Sequence, residues 1–380
     1  MINSKSKSKF KIRHLAVLSL TAMLIVSGCG NNTAGNAAST GSPANAPSSA
    51  AAATTVPAAD KLNIKVSFYP MYEFTKNITG ELADVEVLIP AGTEPHDWEP
   101  TAKDMAEISD ADVLVYNGAG MEGWAQQVVD GASGSKLITI EASKGLEIME
   151  GTEEEEGHDH DQEHAHEEGT VSGEADHDHE HDHEDEHDHE DEHGEEAHAG
   201  DGHDHGGLDP HVWLAPAMAI QEVRTIEAAL SAASPENAAA FKMNSEAYIA
   251  KLQQLDQEFK DGLKDTKRRD FITQHAAFGY LAREYGLTQV PIAGLSPEQE
   301  PSAAQMAEIV EFAKANNVKT IFFETLVSSS VADTIAQEIG AKTAVLNPIE
   351  GLTEEDTRNN LDYLGVMRQN LEALSAALNE

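Results

Sequence analysis

The chain has 380 residues, with 67 Asp and Glu against 25 Lys and Arg and a formal net charge of −42. No basic surface is available to meet a phosphate backbone, so nucleic acid is excluded as a partner. A single cysteine excludes an intramolecular disulfide, so any exported fold must rest on its hydrophobic core.

Residues 1–14 carry Lys5, Lys7, Lys9, Lys11 and Arg13 and no acid, and 15–26 (LAVLSLTAMLIV) are apolar. Twelve residues are too few to cross the ~30 Å hydrocarbon core as a helix, but basic-then-apolar is the layout of a secretory signal. The run ends in Val26-Ser27-Gly28-Cys29, which resembles the bacterial lipobox. The resemblance makes 1–28 a lipoprotein signal peptide and Cys29 the lipidated new N-terminus, held by the bilayer on the extracytoplasmic face. The alternative is an ordinary signal peptide with a stray cysteine. Residues 29–60 are rich in Ala, Ser, Thr, Asn, Gly and Pro without apolar periodicity. They read as a flexible tether with a mean reach on the order of 30 Å.

From 62 onward strands and helices alternate. Strands are expected at 62–68, 85–90, 112–117 and 136–141, and helices at 69–79, 101–109 and 121–130. Short β-rich runs separated by helical windows predict a parallel sheet flanked by helices, so 61–215 reads as an N-terminal α/β lobe.

That lobe is interrupted at 150–207 by 26 Asp and Glu and 14 His, with no Lys or Arg. Such a segment cannot bury enough apolar surface to offset its ordering entropy and is expected to be disordered. Its histidines are His158, His160, His164, His166, His177, His179, His181, His183, His187, His189, His193, His198, His203 and His205. Alternating His-Asp-His offers imidazole nitrogens and carboxylate oxygens, ligands that suit Zn²⁺ and similar ions. A plain solvated charge run is the bland account, but it does not explain why every second residue is so often His. The tract is expected to act as a weak, multivalent metal reservoir.

Residues 216–268 form a long helical connection, with Pro216 suited to a first turn and a break or new cap at Ser234-Pro235-Glu236-Asn237. The β/α rhythm then resumes in a C-terminal lobe, 269–380. Strands are expected at 270–274, 288–292, 319–323 and 343–346, and helices near 277–285, 302–316, 329–340 and 354–378. The fold class is therefore α/β, with two similar lobes, each a mainly parallel sheet flanked by helices. A cleft between such lobes, at the carboxyl ends of the strands, is the favoured ligand position.

Outside the signal and the tract only His96, His211 and His275 remain. Each follows an expected strand, so three loops can converge on one point and offer three imidazoles to Zn²⁺. Taken singly, each is a solvated or hydrogen-bonded loop residue. Asp97, Glu99 and Asp209 adjoin these histidines and either orient their rings or are simply solvated. Trp98, Trp213 and Phe278 either wall the site or merely pack.

The segments PHDWEP (95–100), DPHVWL (209–214), HAAFGY (275–280) and GLSPEQEPS (294–302) resemble the motifs of the zinc-uptake solute-binding lipoproteins of metal ABC transporters. The resemblance spans 60–380 and includes a His-rich insertion ahead of the second histidine. It implies that His96, His211 and His275 bind the metal, that one long rigid helix joins the lobes, and that a membrane permease receives the ion. A monomer is expected. The fourth ligand is a C-lobe carboxylate or a water: Glu350 matches best, and Glu324, ending the IFFE strand, competes. Either could instead cap the following helix. Relatives that carry manganese present two histidines and two carboxylates, whereas a His₃Glu set is softer and suits tetrahedral Zn²⁺. The rival classes are a zinc hydrolase, whose His₃-plus-water format is similar but which lacks an HExxH here, and a metal-binding adhesin, a role some relatives have been assigned.

Overall fold

Residues 61–151 and 207–380 are described in a computed structural model of the chain. The signal peptide, Cys29, the tether and all fourteen histidines of the acidic tract lie outside the described residues.

The first half runs β1 (Leu62–Val66), α1 (Tyr69–Thr79), β2 (Ala83–Val87), α2 (Ala102–Asp110), β3 (Val113–Tyr116), α3 (Ala125–Gly131) and β4 (Ile138–Glu141). Its four strands are all parallel in the order β2-β1-β3-β4. After the helices α4 (Pro216–Ala233) and α5 (Ala238–Leu263), the second half runs β5 (Asp270–Thr273), α6 (Gly279–Tyr285), β6 (Thr288–Pro291), α7 (Ala303–Ala315), β7 (Thr320–Phe323), α8 (Ser330–Ile339) and β8 (Lys342–Val345). It repeats the pattern as β6-β5-β7-β8, again all parallel. The helices α9 (Glu354–Arg358) and α10 (Tyr363–Leu378) end the chain.

Burial explains which strand sits where. In β3 (VLVY) and β7 (TIFF) the first three residues are buried, as continuous apolar runs in two-sided parallel sheets must be. The edge strands β2 (ADVEV) and β6 (TQVP) are largely exposed or half-buried, and Pro291 stands on an edge, where it withholds no ladder donor. In each half the strand order reverses beside the first strand, between β1 and β3 and between β5 and β7. Such switch points open a crevice at the carboxyl edge of a parallel sheet.

The connection at 216–268 divides into two helices at the expected break, Ser234-Pro235-Glu236-Asn237, and α4 folds back onto α5. The long arm α5, 26 residues or ~39 Å at ~1.5 Å per residue, packs on α1 of the first half and on α10 of the second. The helix expected at 354–378 is also two: α9 ends with Asn360 in the left-handed region (φ 52°), and Asp362 caps α10 by accepting from Gly365 N. One hydrophobic core runs through both halves, from Ile64, Val66 and Phe74 through Trp213 and Phe259 to Phe271, Tyr363 and Met367.

The two ends of the acidic insertion meet on the body. Gly151 N donates to Gly207 O at 2.6 Å, Asp209 N donates to Met149 O at 2.9 Å, and Glu150 and Leu208 form an isolated antiparallel bridge. Excising 152–206 and joining these ends with a short Gly-Ser linker should therefore leave the far-UV circular dichroism per folded residue and the melting temperature unchanged. A loss of 1 kcal/mol would lower Tm by about 2–4 °C in a domain of this size, so a larger fall would show that the body depends on the insertion.

Candidate metal centre

His96 sits in the loop after β2, where its backbone N–H donates to Glu94 Oε1 at 2.9 Å. His211 is fixed from several sides. Asp209 Oδ1 accepts from the His211 backbone N–H at 3.0 Å and lies 2.8 Å from Nδ1, which fixes the ring with Nε2 pointing away. The carbonyls of its segment are also held: Asp209 O by the Tyr280 hydroxyl (2.7 Å), Pro210 O by Asn117 Nδ2 (3.0 Å) and Trp213 O by the Tyr363 hydroxyl (2.5 Å). A Cβ at Gly279, in the HAAFGY segment, would lie 2.9 Å from Asp209 Oδ2, so a side chain there would displace the carboxylate that holds His211.

His275 leaves the end of β5, and its carbonyl accepts from Thr273 Oγ1 and Gln289 Nε2. Its Nδ1 meets Glu324 Oε1. Glu324 follows β7, so His275 and Glu324 stand on either side of the second switch point. Glu350 follows β8.

The four side chains converge. Nε2 of His96, His211 and His275 lie 3.3, 3.4 and 3.4 Å from Glu350 Oε1. His211 Nε2 is 3.2 Å from that of His96 and 3.3 Å from that of His275, and all four donor atoms lie within 4.8 Å of one another. An ion with four bonds of ~2.0–2.1 Å in a tetrahedron sets its donors ~3.3–3.4 Å apart. The five close separations match those edges. Each imidazole has one proton at most on this nitrogen, so hydrogen bonding alone does not account for so many equal approaches. Among the described residues this is the only such group of His, Cys, Asp and Glu, and all four members are buried.

Burial sets the protonation of the cluster. It lowers the His96 pKa to about 4, against the opposing pull of Glu350. Burial also opposes charge on His211 and His275, but Asp209 and Glu350 raise the first, and Glu324 and Glu350 raise the second well above its usual value. Burial would raise Glu350, yet the hydrogen bonds from the three histidines hold it well below the usual carboxylate range.

The sequence-derived candidates thus fall into two sets. His96, His211, His275 and Glu350 share one point. Glu324 is not in that group; its carboxylate takes the far nitrogen of His275 and orients the ring. Asp209 does the same for His211. Asp97 and Glu99 are exposed; Glu94, not singled out in the sequence, makes the carboxylate contact to the His96 backbone. Trp213 and Phe278 are fully buried. The Trp213 ring lies 5.2 Å from that of His211 between centroids, and its Nε1 donates to Pro348 O at 2.7 Å, tying the two halves together. Trp98 packs edge-on against Trp124. The Pro348 partner was not legible, since nothing in either local sequence marks it.

A family profile described as zinc-uptake complex component A, periplasmic, matches residues 64–377. The high-affinity zinc uptake system protein ZnuA of Bacillus subtilis is 46% identical over 356 residues, covering 93% of this chain and 94% of that protein. The zinc-binding lipoprotein AdcA of Streptococcus pneumoniae is 44% identical over 320 residues; these cover 83% of this chain but 55% of AdcA, so the chain spans about half of that relative. The crystal structure of the Zn(II)-bound ZnuA-like domain of the same AdcA superposes with a TM-score of 0.65 at 41% identity, over 84% of this chain and all of that domain.

The charge arrangement has a measurable consequence in metal-free protein. Glu350, with a depressed folded pKa, contributes stability above its unfolded value of ~4.5 that is lost as pH falls through the folded value. His211 and His275, with raised folded pKa values, contribute stability that is complete below ~6.5 and lost as pH rises through their folded values. In urea unfolding of chelator-treated protein, the advantage of wild type over E350Q should be largest between pH ~4.5 and ~6.5 and shrink on both sides. A difference that stays flat across pH would contradict the charge pairing.

Proposed function

The chain belongs to the zinc-uptake complex component A family, and from that premise we propose that it captures Zn²⁺ outside the cytoplasm and delivers it to the permease of an ABC importer. The observation that carries this reading is that five of the six separations among three imidazole nitrogens and one carboxylate oxygen, in a buried site, match the edges of a tetrahedral zinc shell. His96, His211, His275 and Glu350 are the ligands. Asp209 and Glu324 hold the far nitrogens of two of those rings, which fixes the tautomer and raises ligand basicity. A nitrogen-rich set with one carboxylate favours Zn²⁺ over Mn²⁺, which prefers more oxygen donors and six-fold coordination.

Cys29 anchors the protein to the membrane through its lipid, and the histidine tract gathers ions near the site. The protein acts as a monomer. Release is assisted by protons, because ligand imidazoles must be neutral to bind the ion. Affinity therefore falls as pH falls and rises as pH rises. Against a zinc hydrolase, Glu350 fills the corner that a catalytic site leaves to water. The loaded protein is expected to hydrolyse no ester, peptide or phosphoester.

The defining experiment is a competition titration with a chromophoric chelator, in Zn²⁺ and in Mn²⁺, on the full chain and on protein lacking 152–206. Replacing His96, His211 or His275 by Ala should weaken the tightest site by orders of magnitude, to micromolar or looser. Unchanged affinity in all three variants would defeat the site. Removing 152–206 should lower the number of zinc ions bound per chain and leave one tight site; loss of that site would make the tract a primary ligand source.

A further inference from the structure

Like the three histidines, Glu350 stands on no regular element. After β8 the last ladder bond is Leu346 N to Phe323 O, at 3.0 Å. From there the segment 347–350 is held by side chains. The Asn370 amide faces the main chain of Asn347 and exchanges two hydrogen bonds with it: Asn347 N donates to Asn370 Oδ1 (2.9 Å), and Asn370 Nδ2 donates to Asn347 O (2.7 Å). Asn370 thus acts as a one-residue strand extending the edge of the sheet. The Asn347 side chain then closes a turn, its Oδ1 accepting from Ile349 N at 2.7 Å, while Pro348 O is held by Trp213.

The residue before the ligand is strained. Ile349 is β-branched and fully buried, and it stands at φ +59°. In that region an isoleucine is a steric outlier and persists only where its surroundings over-determine it. Glycine would adopt this φ without strain; isoleucine would leave it if the clasp on Asn347 were released, and the Glu350 carboxylate would move with the backbone. The face of α10 that bears Asn370 also bears Tyr363, whose hydroxyl holds Trp213 O. A single helix therefore supports both the strained loop and the tryptophan that bridges to it.

We propose that Asn370 is a positioning residue for the fourth ligand: its paired hydrogen bonds to Asn347 hold the strained 347–350 loop so that Glu350 closes the coordination shell. Without it the site keeps three imidazoles and the fourth corner passes to water. This rests on the reading of Glu350 as a ligand, and the test separates the two.

The test uses the full chain as wild type, N370A, E350A and the double variant. Zn²⁺ affinity of the tightest site is read by chelator competition, and visible absorption is recorded at less than one equivalent of Co²⁺. N370A should weaken Zn²⁺ binding ~10–100-fold, the usual effect of removing a group that orients a ligand. It should also change the visible bands of bound Co²⁺ towards the spectrum of E350A, as a water replaces the carboxylate. In the E350A background the same change should cost less than about threefold, because the residue acts through the carboxylate. Equal losses in both backgrounds, or weaker binding with an unaltered Co²⁺ spectrum, would reduce Asn370 to a structural role and overturn the proposal. If N370A does not fold, N370D is measured instead; it has the same volume and still accepts from Asn347 N, but cannot donate to Asn347 O. Wild-type affinity and spectrum in N370D would overturn the proposal equally. An E350A variant that binds Zn²⁺ as tightly as wild type would remove the underlying ligand assignment instead.

Discussion

The constraint on which the molecule turns is a carboxylate placed out of reach of water. Glu350 is 2% exposed, and an isolated ionised carboxylate in such surroundings costs many kcal/mol unless it is paired. Three imidazole nitrogens within 3.4 Å are what make its burial tolerable. They can do so either with their own protons or with a cation among them. Two further carboxylates, Asp209 and Glu324, stand behind the rings of His211 and His275. The site is therefore built for positive charge, and proton and metal ion are alternatives in the same position. The opposed switch points, the continuous core and the α5 brace all serve to bring donors from four separate loops to one place.

The extent to which the sequence disclosed this follows from the kind of signal each feature leaves. Period and composition mark strands and helices, so the α/β alternation and its two halves were legible throughout. The three histidines stood out because few remained once the tract was set aside, and each follows an expected strand. Element ends were less legible. The run 85–90 reads as a strand, yet β2 closes at Val87, although Leu88 and Ile89 still donate to Val66 and Ser67. The last helix reads as continuous because Leu, Val and Met recur at helical spacing across Asn359-Asn360-Leu361-Asp362, where a left-handed Asn and an Asp cap interrupt it.

Roles within the site were harder still. Sequence can place Glu324 and Glu350 after neighbouring strands, but not tell which imidazole nitrogen each faces, and that difference separates the carboxylate inside the cluster from the one behind a ring. Asp97 and Glu99 adjoin His96 in sequence and point elsewhere, whereas Glu94, two residues before it, makes the contact. The Asn347–Asn370 pair is 23 residues apart, with no motif to join them. Trp213 and Pro348 are 135 apart. That last bond also bears on motion. Parting the halves widely would strip a buried indole N–H of its acceptor, which costs about 1–3 kcal/mol, and would expose core shared by both. Opening by displacement of individual loops is cheaper than a broad hinge.

The bridge at Glu150 and Leu208 has a consequence on a different scale. Because the backbone leaves and re-enters through adjoining residues, Gly151 and Gly207 mark a splice point: the rest of the molecule sees the same two ends whatever is stitched between them. The length of chain between those two glycines can then change without any compensating change among the four side chains that meet at the centre.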